Sequence, residues 1–322
     1  MLFRSGEENR GLEYMFIMMN AARFAVGMQG IAVAERAYQK AVSYARERLQ
    51  SRDLAGSAGP VAIIHHPDVK RMLMSMRAQT EAARALSYVT AAAFDGAHHH
   101  PDGATRKAHQ AFYEFMVPIV KGWSTELSID VASTGVQVHG GMGFIEETGA
   151  AQYYRDARIL TIYEGTTAIQ ANDLVGRKTV RDGGAQAKSI IAQARNTAAE
   201  LGKDSNADLK VIGQRLIEAC TALEQVVDFI AAHGKSDIKA AFAGSVPYLK
   251  LAGVVFGGWQ MARAAQVADR KLGAGEGDRA FCQAKIATAR FFADHYLSTA
   301  SASHAAIVEG SAGVLALSEE QF

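Results

Sequence analysis

The chain has 322 residues, enough for one large domain or two ordinary domains with a substantial core. Its net charge of +1 excludes the strongly basic class of proteins that bind nucleic acids or anionic membranes through charge. The two cysteines, Cys220 and Cys282, lack the spacing of a disulfide framework or a zinc site. No apolar run of about 20 residues is evident, so we expect no membrane insertion. These features together predict a soluble protein of the reducing cytoplasm.

The first part of the chain has the periodicity of long helices. Apolar residues spaced three and four apart predict helices over about 20–49, 67–97, 105–138 and 150–157. The tract "GAHHHPDG" is expected to end the second of these helices, and Pro118 and Gly122 could bend the third. A further helix is expected to start just after Glu164.

Beyond residue 180 the sequence contains more alanine and fewer aromatic residues, but it remains helical in pattern. A stripe from Leu209 to Ile230 predicts a helix that Gly234 closes, and two more helices are expected over about 248–272 and 279–301. No alternating strand pattern of useful length occurs in the sequence. The fold class is therefore predicted to be all-α, a helical bundle over 20–180 followed by a helical extension over 181–322.

The stretch "ILTIYEGTTAIQ" places one carboxylate, Glu164, where an apolar run meets the start of a helix. An isolated Glu-Gly pair is most often only a loop. A carboxylate in an apolar setting, however, has a raised pKa, which suits a general base that removes a weakly acidic C–H proton. Both interpretations remain open on the residues alone.

Two neighbouring motifs are candidates for binding a cofactor. In "QVHGGMGF" a glycine cluster would allow close approach of a ligand to the backbone, although such a cluster is often only a helix stop. The spacing is not that of a dinucleotide-binding βαβ fingerprint. Thr167 and Gln170 form a predicted capping box, whose free amides could hold a phosphate or could simply cap the helix.

The joint motif "QVHGGMGF…YRDARILTIYEGTTAIQ" resembles the C-terminal signature of the flavin-dependent acyl-CoA dehydrogenases. The resemblance extends back through "NAARFAVGMQGIAVAERAYQKAVSYARERLQSRD" and covers essentially the whole chain, most closely in the 3-methylmercaptopropionyl-CoA dehydrogenase-like subgroup with a helical extension. It implies the C-terminal helical bundle of that family and oxidation of an acyl-CoA thioester to the 2,3-enoyl-CoA with FAD.

The resemblance also implies roles for individual residues. Glu164 would be the base that removes the α-proton, with Gly165 against the acyl thioester and Arg23 near the carboxylate and the substrate. One group of residues would contact FAD at the helix start, namely Thr166 and Thr167. A second group would bind the adenosine-pyrophosphate part of an FAD held by the neighbouring subunit, namely Arg48, Gln137, Gly140 and Gly141.

In the resembling family an N-terminal helical domain and a β-barrel precede the first helix found here. We therefore expect residues 1–19 to be the remnant of that barrel and its lead-in, and the active site to be incomplete in this chain. The expected partners are an acyl-CoA, an electron-transfer flavoprotein and further copies of the chain. The alternative is a gene fragment or a non-catalytic helical module that keeps the family's subunit interface. As the explanation for the missing N-terminal part, a gene fragment is expected rather than one piece of a split enzyme.

A metal-binding four-helix bundle is a third possible interpretation. Such sites use paired Glu-x-x-His motifs, which the sequence lacks. The histidine runs at 65–66 and 98–100 contain adjacent imidazoles, which point apart on a regular backbone. We therefore predict no metal site.

Overall fold

A computed structural model describes residues 6–322. The first part of the chain contains six α-helices, which are α1 (Gly11–Glu47), α2 (Pro67–His99), α3 (Gly103–His139), α4 (Gly141–Phe144), α5 (Ala150–Leu160) and α6 (Thr167–Val175). A π-helical turn, Gly176–Val180, follows α6. Residues 11–19 form the first turns of α1 and residues 1–5 lie outside the described part, so the barrel remnant and lead-in over 1–19 stay a prediction.

The second part of the chain contains seven more helices, which are α7 (Ala185–Gly202), α8 (Ala207–Ser236), α9 (Ile238–Ala243), α10 (Ser245–Ala274), α11 (Arg279–His295), α12 (Ala300–Val308) and α13 (Ser311–Val314). The described residues contain no β-strand, and their one isolated β-bridge joins Leu49 to Ala62. The all-α prediction is confirmed.

The ends of the helices follow the capping chemistry of the sequence. The Asp102 carboxylate caps α3 by accepting a hydrogen bond from the Thr105 N–H at 2.7 Å. The carboxylate of Asp278 caps α11 in the same way through the N–H of Phe281. At the other end of a helix, Gly275 adopts a left-handed conformation with φ 69° and terminates α10.

The bundle is built on close contact between α1 and α3. Glycines of α1 make this possible, because an added Cβ on Gly27 would lie 2.8 Å from the Val120 carbonyl oxygen and one on Gly30 2.7 Å from that of Ser124. Helix α3 also packs along α2, and α5 crosses both α1 and α3. Helix α3 is thus the central element of the bundle and runs through Pro118 as one helix.

The extension shares its hydrophobic core with the bundle. Helix α10 packs against α2, α3 and α6, and buried residues of both parts form one continuous cluster. One contact between the two parts is made by Trp123 of α3, whose ring fills the space beside Gly253 and Gly257. A Cβ on Gly253 would lie 2.3 Å from Trp123 Cγ, so α10 can approach α3 only through a glycine there.

One local prediction was wrong, and one helix was missed. Gly234 does not close α8, which continues to Ser236; the absent side chain instead makes room for Val180, whose Cγ2 would lie 2.2 Å from a Cβ. Helix α2 ends at His99, within "GAHHHPDG", as the sequence predicted. Helix α7 was not predicted at all, although Ile190, Ile191 and Ala194 give it a buried stripe.

The expectation that no segment could span a bilayer was also wrong in one respect. By length and composition, α1 is long and apolar enough to do so. Core helices pass the same test, and Ile31, Ala34 and Ala41 of α1 are buried in the bundle. The absence of membrane insertion stays a prediction.

Candidate functional site

Glu164 lies in the loop between α5 and α6, as the sequence predicted. Its side chain is half-buried, and its backbone is left-handed with φ 56°. Gly165 continues this conformation with φ 85°. A left-handed φ is unfavourable for a residue with a side chain, so the surrounding structure must hold Glu164 in place.

A buried lysine of α3 lies beneath this loop. Lys121 has no exposed surface, and its ammonium donates hydrogen bonds to the carbonyl of Leu160 at 2.9 Å and to that of Gly165 at 2.7 Å. Burial, together with the positive charge of Arg23, lowers the pKa of Lys121 to about 8, while the charges of Glu126 and Glu164 act in the opposite direction. The loop that carries Glu164 is thus tied to the centre of the bundle.

Two further side chains bind the loop. The amide nitrogen of Gln170, on α6, donates to the carbonyl of Gly165 at 3.2 Å and to that of Glu164 at 3.4 Å. The hydroxyl of Tyr163 donates to the side-chain oxygen of Gln29 on α1. Contacts from three helices therefore fix the loop.

The start of α6 differs by one residue from the predicted capping box. Thr166 is the capping residue, and its hydroxyl accepts a hydrogen bond from the N–H of Ile169 at 3.4 Å. Thr167 is instead the first helical residue: its hydroxyl donates to Glu126 at 2.6 Å and its N–H to the Thr161 carbonyl at 3.1 Å. Both donors of Thr167 are used within the chain, which leaves Thr166 as the exposed member of the pair.

Arg23 is buried on α1, near Lys121. It forms an ion pair with Asp173 of α6 at 3.5 Å, and Asp173 also accepts a hydrogen bond from Arg177 at 2.7 Å. The Nε of Arg23 has no hydrogen-bond partner in the described part of the chain. A buried, unpaired donor is costly, so Arg23 retains capacity for one more polar contact.

The residues predicted to bind the adenosine-pyrophosphate part of FAD gather at the C-terminal end of α3. Arg48, Gln137, Gly140 and Gly141 line one open cavity of about 860 Å³. Within residues 6–322, Arg48 has no carboxylate partner, and a Cβ on either glycine would meet nothing within 4 Å. Gly140 has φ 60° and ends α3. The cavity thus offers a cation and exposed backbone.

His139 also forms part of the wall of this cavity. It is buried and stacks on Tyr44 with a ring separation of 4.3 Å. Its Nδ1 lies 2.7 Å from the Gly135 carbonyl, so Nδ1 carries the proton in that contact. Burial lowers the pKa of His139, which favours a neutral ring. The pair is an aromatic wall of the cavity.

The predicted site residues thus form two groups rather than one. The Glu164 group includes Gly165, Thr166 and Arg23, and it surrounds Lys121. The cavity group surrounds Gln137. Lys121 and Gln137 are sixteen positions apart on α3, which corresponds to about 24 Å along the helix.

Sequence reasoning missed Lys121, Gln170 and Asp173. One signal for Lys121 was present: it is the single charge in the apolar run "MVPIVKGW" of a predicted core helix. The Gln170 and Asp173 contacts gave no comparable signal, because polar residues in the first turns of a helix are ordinary.

Comparison with known families places the chain. The family described as "Acyl-CoA dehydrogenase, C-terminal domain" matches residues 9–178. A second family, "Acetyl-CoA dehydrogenase C-terminal like", matches residues 189–318. Since the first match covers more than half of the chain, the chain belongs to the acyl-CoA dehydrogenase family. The boundaries of the predicted domains stay predictions.

Curated relatives and solved structures agree with this assignment. The chain is 55% identical over 305 residues to a 3-methylmercaptopropionyl-CoA dehydrogenase of Ruegeria pomeroyi, with 94% of this chain and 51% of the relative aligned. It is 34% identical to a broad-specificity linear acyl-CoA dehydrogenase of Mycobacterium tuberculosis, over 98% of this chain and 54% of the relative. The chain therefore spans about half the length of these relatives.

A crystal structure of an acyl-CoA dehydrogenase from Bacillus anthracis complexed with FAD has the same fold. It superposes with a TM-score of 0.75 at 21% identity, over 95% of this chain and 51% of that chain. The likeness supports the fold of both the bundle and the extension.

Proposed function

We propose that this chain supplies the base side of an FAD-dependent acyl-CoA dehydrogenase. Glu164 removes a proton from the α-carbon of an acyl-CoA thioester, and the product is the 2,3-enoyl-CoA. The observation that carries the proposal is the placement of Glu164, a half-buried carboxylate on a strained loop held by buried polar groups. Strain of this kind is characteristic of functional sites.

The residues around Glu164 suit this role. Ile159, Ile162 and Ile169 are exposed apolar side chains on the loop and the adjoining helices. Once covered by another protein surface or by a ligand, they would exclude water from the carboxylate, which favours proton transfer from a weak carbon acid. Gly165, directly after the base, is the proposed contact for the acyl thioester.

The residues present also fit FAD. Arg48 and Gln137 could bind the pyrophosphate, with Gly140 and Gly141 allowing close approach of the backbone. When bound, FAD supplies the acceptor for the β-hydride. The exposed Thr166 is the proposed contact near Glu164. Because the two groups lie about 24 Å apart along α3, we propose that two copies of the chain hold each FAD, with an electron-transfer flavoprotein as the final acceptor.

A second candidate function is a helical interaction module without activity of its own. The start of α1 supports it, because Leu12, Met15, Phe16 and Met18 are exposed apolar residues on a single helix. Such a surface is suited to another polypeptide, and the chain spans only about half of its curated relatives.

One experiment separates the two candidates. The purified chain is assayed for bound flavin and for acyl-CoA oxidation coupled to ferrocenium reduction, beside Glu164→Gln and the control Glu147→Gln, an exposed loop glutamate. Bound flavin with turnover lost only in Glu164→Gln supports the dehydrogenase. Flavin-free, inactive wild-type chain contradicts catalysis by this chain and favours the interaction module.

A further inference from the structure

The left-handed backbone of Glu164 must be imposed by groups around it. Glu164 and Gly165 are two consecutive left-handed residues, with φ 56° and 85°. Glycine tolerates this conformation, whereas glutamate adopts it only where neighbouring groups impose it. A Cβ on Gly165 would lie 2.8 Å from Nε2 of Gln170, so the loop already presses closely on its supports.

Lys121 is placed to impose this conformation. Its ammonium binds the carbonyl of Leu160, the last residue of α5, and the carbonyl of Gly165, directly after Glu164. These two contacts bracket the strained residue within the loop. Gln170, on α6, also donates to the Gly165 carbonyl, at 3.2 Å, and to the Glu164 carbonyl, at 3.4 Å. The shorter, charge-assisted contacts belong to Lys121.

Lys121 is a poor choice for stability alone. It has no exposed surface, and burial lowers its pKa to about 8. A buried ammonium is costly, and an apolar residue of similar length would fill the same space without that cost. The charges around it come from Arg23 of α1, Glu126 of α3 and Glu164 of the loop. A lysine at this place is therefore suited to holding the loop.

We propose that Lys121 is a positioning residue: it holds the backbone of Glu164 in its left-handed conformation by binding the carbonyl groups on both sides of that residue. This inference rests on the proposed function of Glu164 as the base. Lys121 does not touch the reacting atoms; it fixes the backbone from which the carboxylate extends.

The first test needs neither flavin nor substrate. Hydrogen exchange of the loop amides, including those of Tyr163 and Thr167, is measured by mass spectrometry on peptides spanning 159–168. The full chain is compared with Lys121→Met, which keeps the length of the side chain and removes its donors. We expect exchange in these peptides to be faster by about tenfold or more, with peptides of α8 unchanged.

Two further variants make the result specific. Lys250→Met removes a half-exposed lysine whose ammonium lies 3.7 Å from Glu126, and it is expected to leave exchange in the loop unchanged. Gln170→Met removes the weaker support and is expected to accelerate the same peptides, by less. If Lys121→Met does not fold, two other variants decide the question. Gln170→Met is expected to accelerate hydrogen exchange of the loop peptides, and Lys121→Arg is expected to leave it at the wild-type rate. Unchanged exchange in the loop, or equal acceleration throughout the chain, overturns the proposal.

The second test separates this inference from the proposed function. In flavin-loaded protein that turns over, Lys121→Met is expected to lower kcat at least tenfold with little change in KM, because the base is displaced while substrate binding remains. Glu164→Gln is expected to lose turnover while its loop exchanges as in the wild type. An accelerated loop with unchanged kcat would overturn the positioning role. Wild-type chain that never turns over would contradict the proposed function, and the exchange measurement would still decide whether Lys121 holds the loop.

Discussion

The Glu164 group and the cavity group differ in how many of their polar groups have hydrogen-bond or ion-pair partners within the chain. At the Glu164 loop, Lys121 and Gln170 bind the backbone carbonyls and Thr167 is paired with Glu126. At the cavity around Gly140, the side chain of Arg48 has no carboxylate partner within residues 6–322, and Gly140 and Gly141 are exposed. The first arrangement is held by contacts within the chain, whereas the second leaves a cation open for the proposed ligand.

The largest predicted effect is the pH dependence of stability that the buried ammonium of Lys121 causes. The pKa of Lys121 is about 8 in the folded protein against 10.5 ordinarily. Between these values the unfolded chain binds more protons, so the stability of the wild type rises with pH there, by up to about 3 kcal/mol. The free energies of unfolding of the wild type and Lys121→Met are measured in urea at several pH values from 7.5 to 10. The wild-type value minus the variant value should increase with pH. A difference that is constant with pH would contradict the buried charge.

The next prediction compares one glycine from each group. Gly165→Ala places a Cβ at φ 85° and 2.8 Å from Gln170, which should cost about 2 kcal/mol of stability. Gly141→Ala meets open space in the described surroundings and should stay within about 0.5 kcal/mol of the wild type. Thermal unfolding of both variants checks the contrast. Equal losses would mean that the cavity end is packed as closely as the loop end.

The third prediction concerns the affinity of the cavity for a ligand that carries a pyrophosphate. Arg48→Ala is expected to weaken the binding of ADP, as a probe for the adenosine-pyrophosphate group, by about tenfold, because one charge-assisted contact is lost. The matched control is Arg46→Ala, which removes an exposed arginine of the same helix outside the cavity. Isothermal titration calorimetry measures both. Equal affinity for the two variants would exclude Arg48 from the site.

The smallest predicted effect tests the cap of α6. Thr166→Ala removes the capping hydroxyl and should cost about 0.5 kcal/mol, since the 3.4 Å contact is long. Thr167→Val removes the hydroxyl bound to Glu126 and should cost about 1 kcal/mol. Chemical denaturation resolves the order of the two. A larger loss of stability for Thr166→Ala than for Thr167→Val would contradict this order.

The sequence predicted the broad architecture because helical periodicity is a local property. The long helices and the loop position of Glu164 follow from residues within a few turns of one another. Helix α7 was missed because its stripe of Ile190, Ile191 and Ala194 is short and rich in alanine. Gly234 was misassigned because its need for space arises from Val180, which is distant in sequence.

The candidate site was only partly predictable for the same reason. Glu164 and the glycines were found through motifs. Lys121 is more than forty residues from Glu164 along the chain, and only the packing of α3 beneath the loop brings them together. Arg23 was expected near the carboxylate, but its ion pair with Asp173 depends on the approach of α1 to α6. Tertiary partners of this kind leave no local pattern.

Three consecutive residues of α3 serve different neighbours. Lys121 binds the loop, Gly122 makes room for Leu249, and Trp123 fits against the glycines of α10. A deletion that removed the extension would therefore uncover an indole ring two positions from the lysine that holds the loop. The middle of α3 therefore couples the packing of the extension to the loop that carries Glu164, and a substitution at Trp123 is expected to affect both.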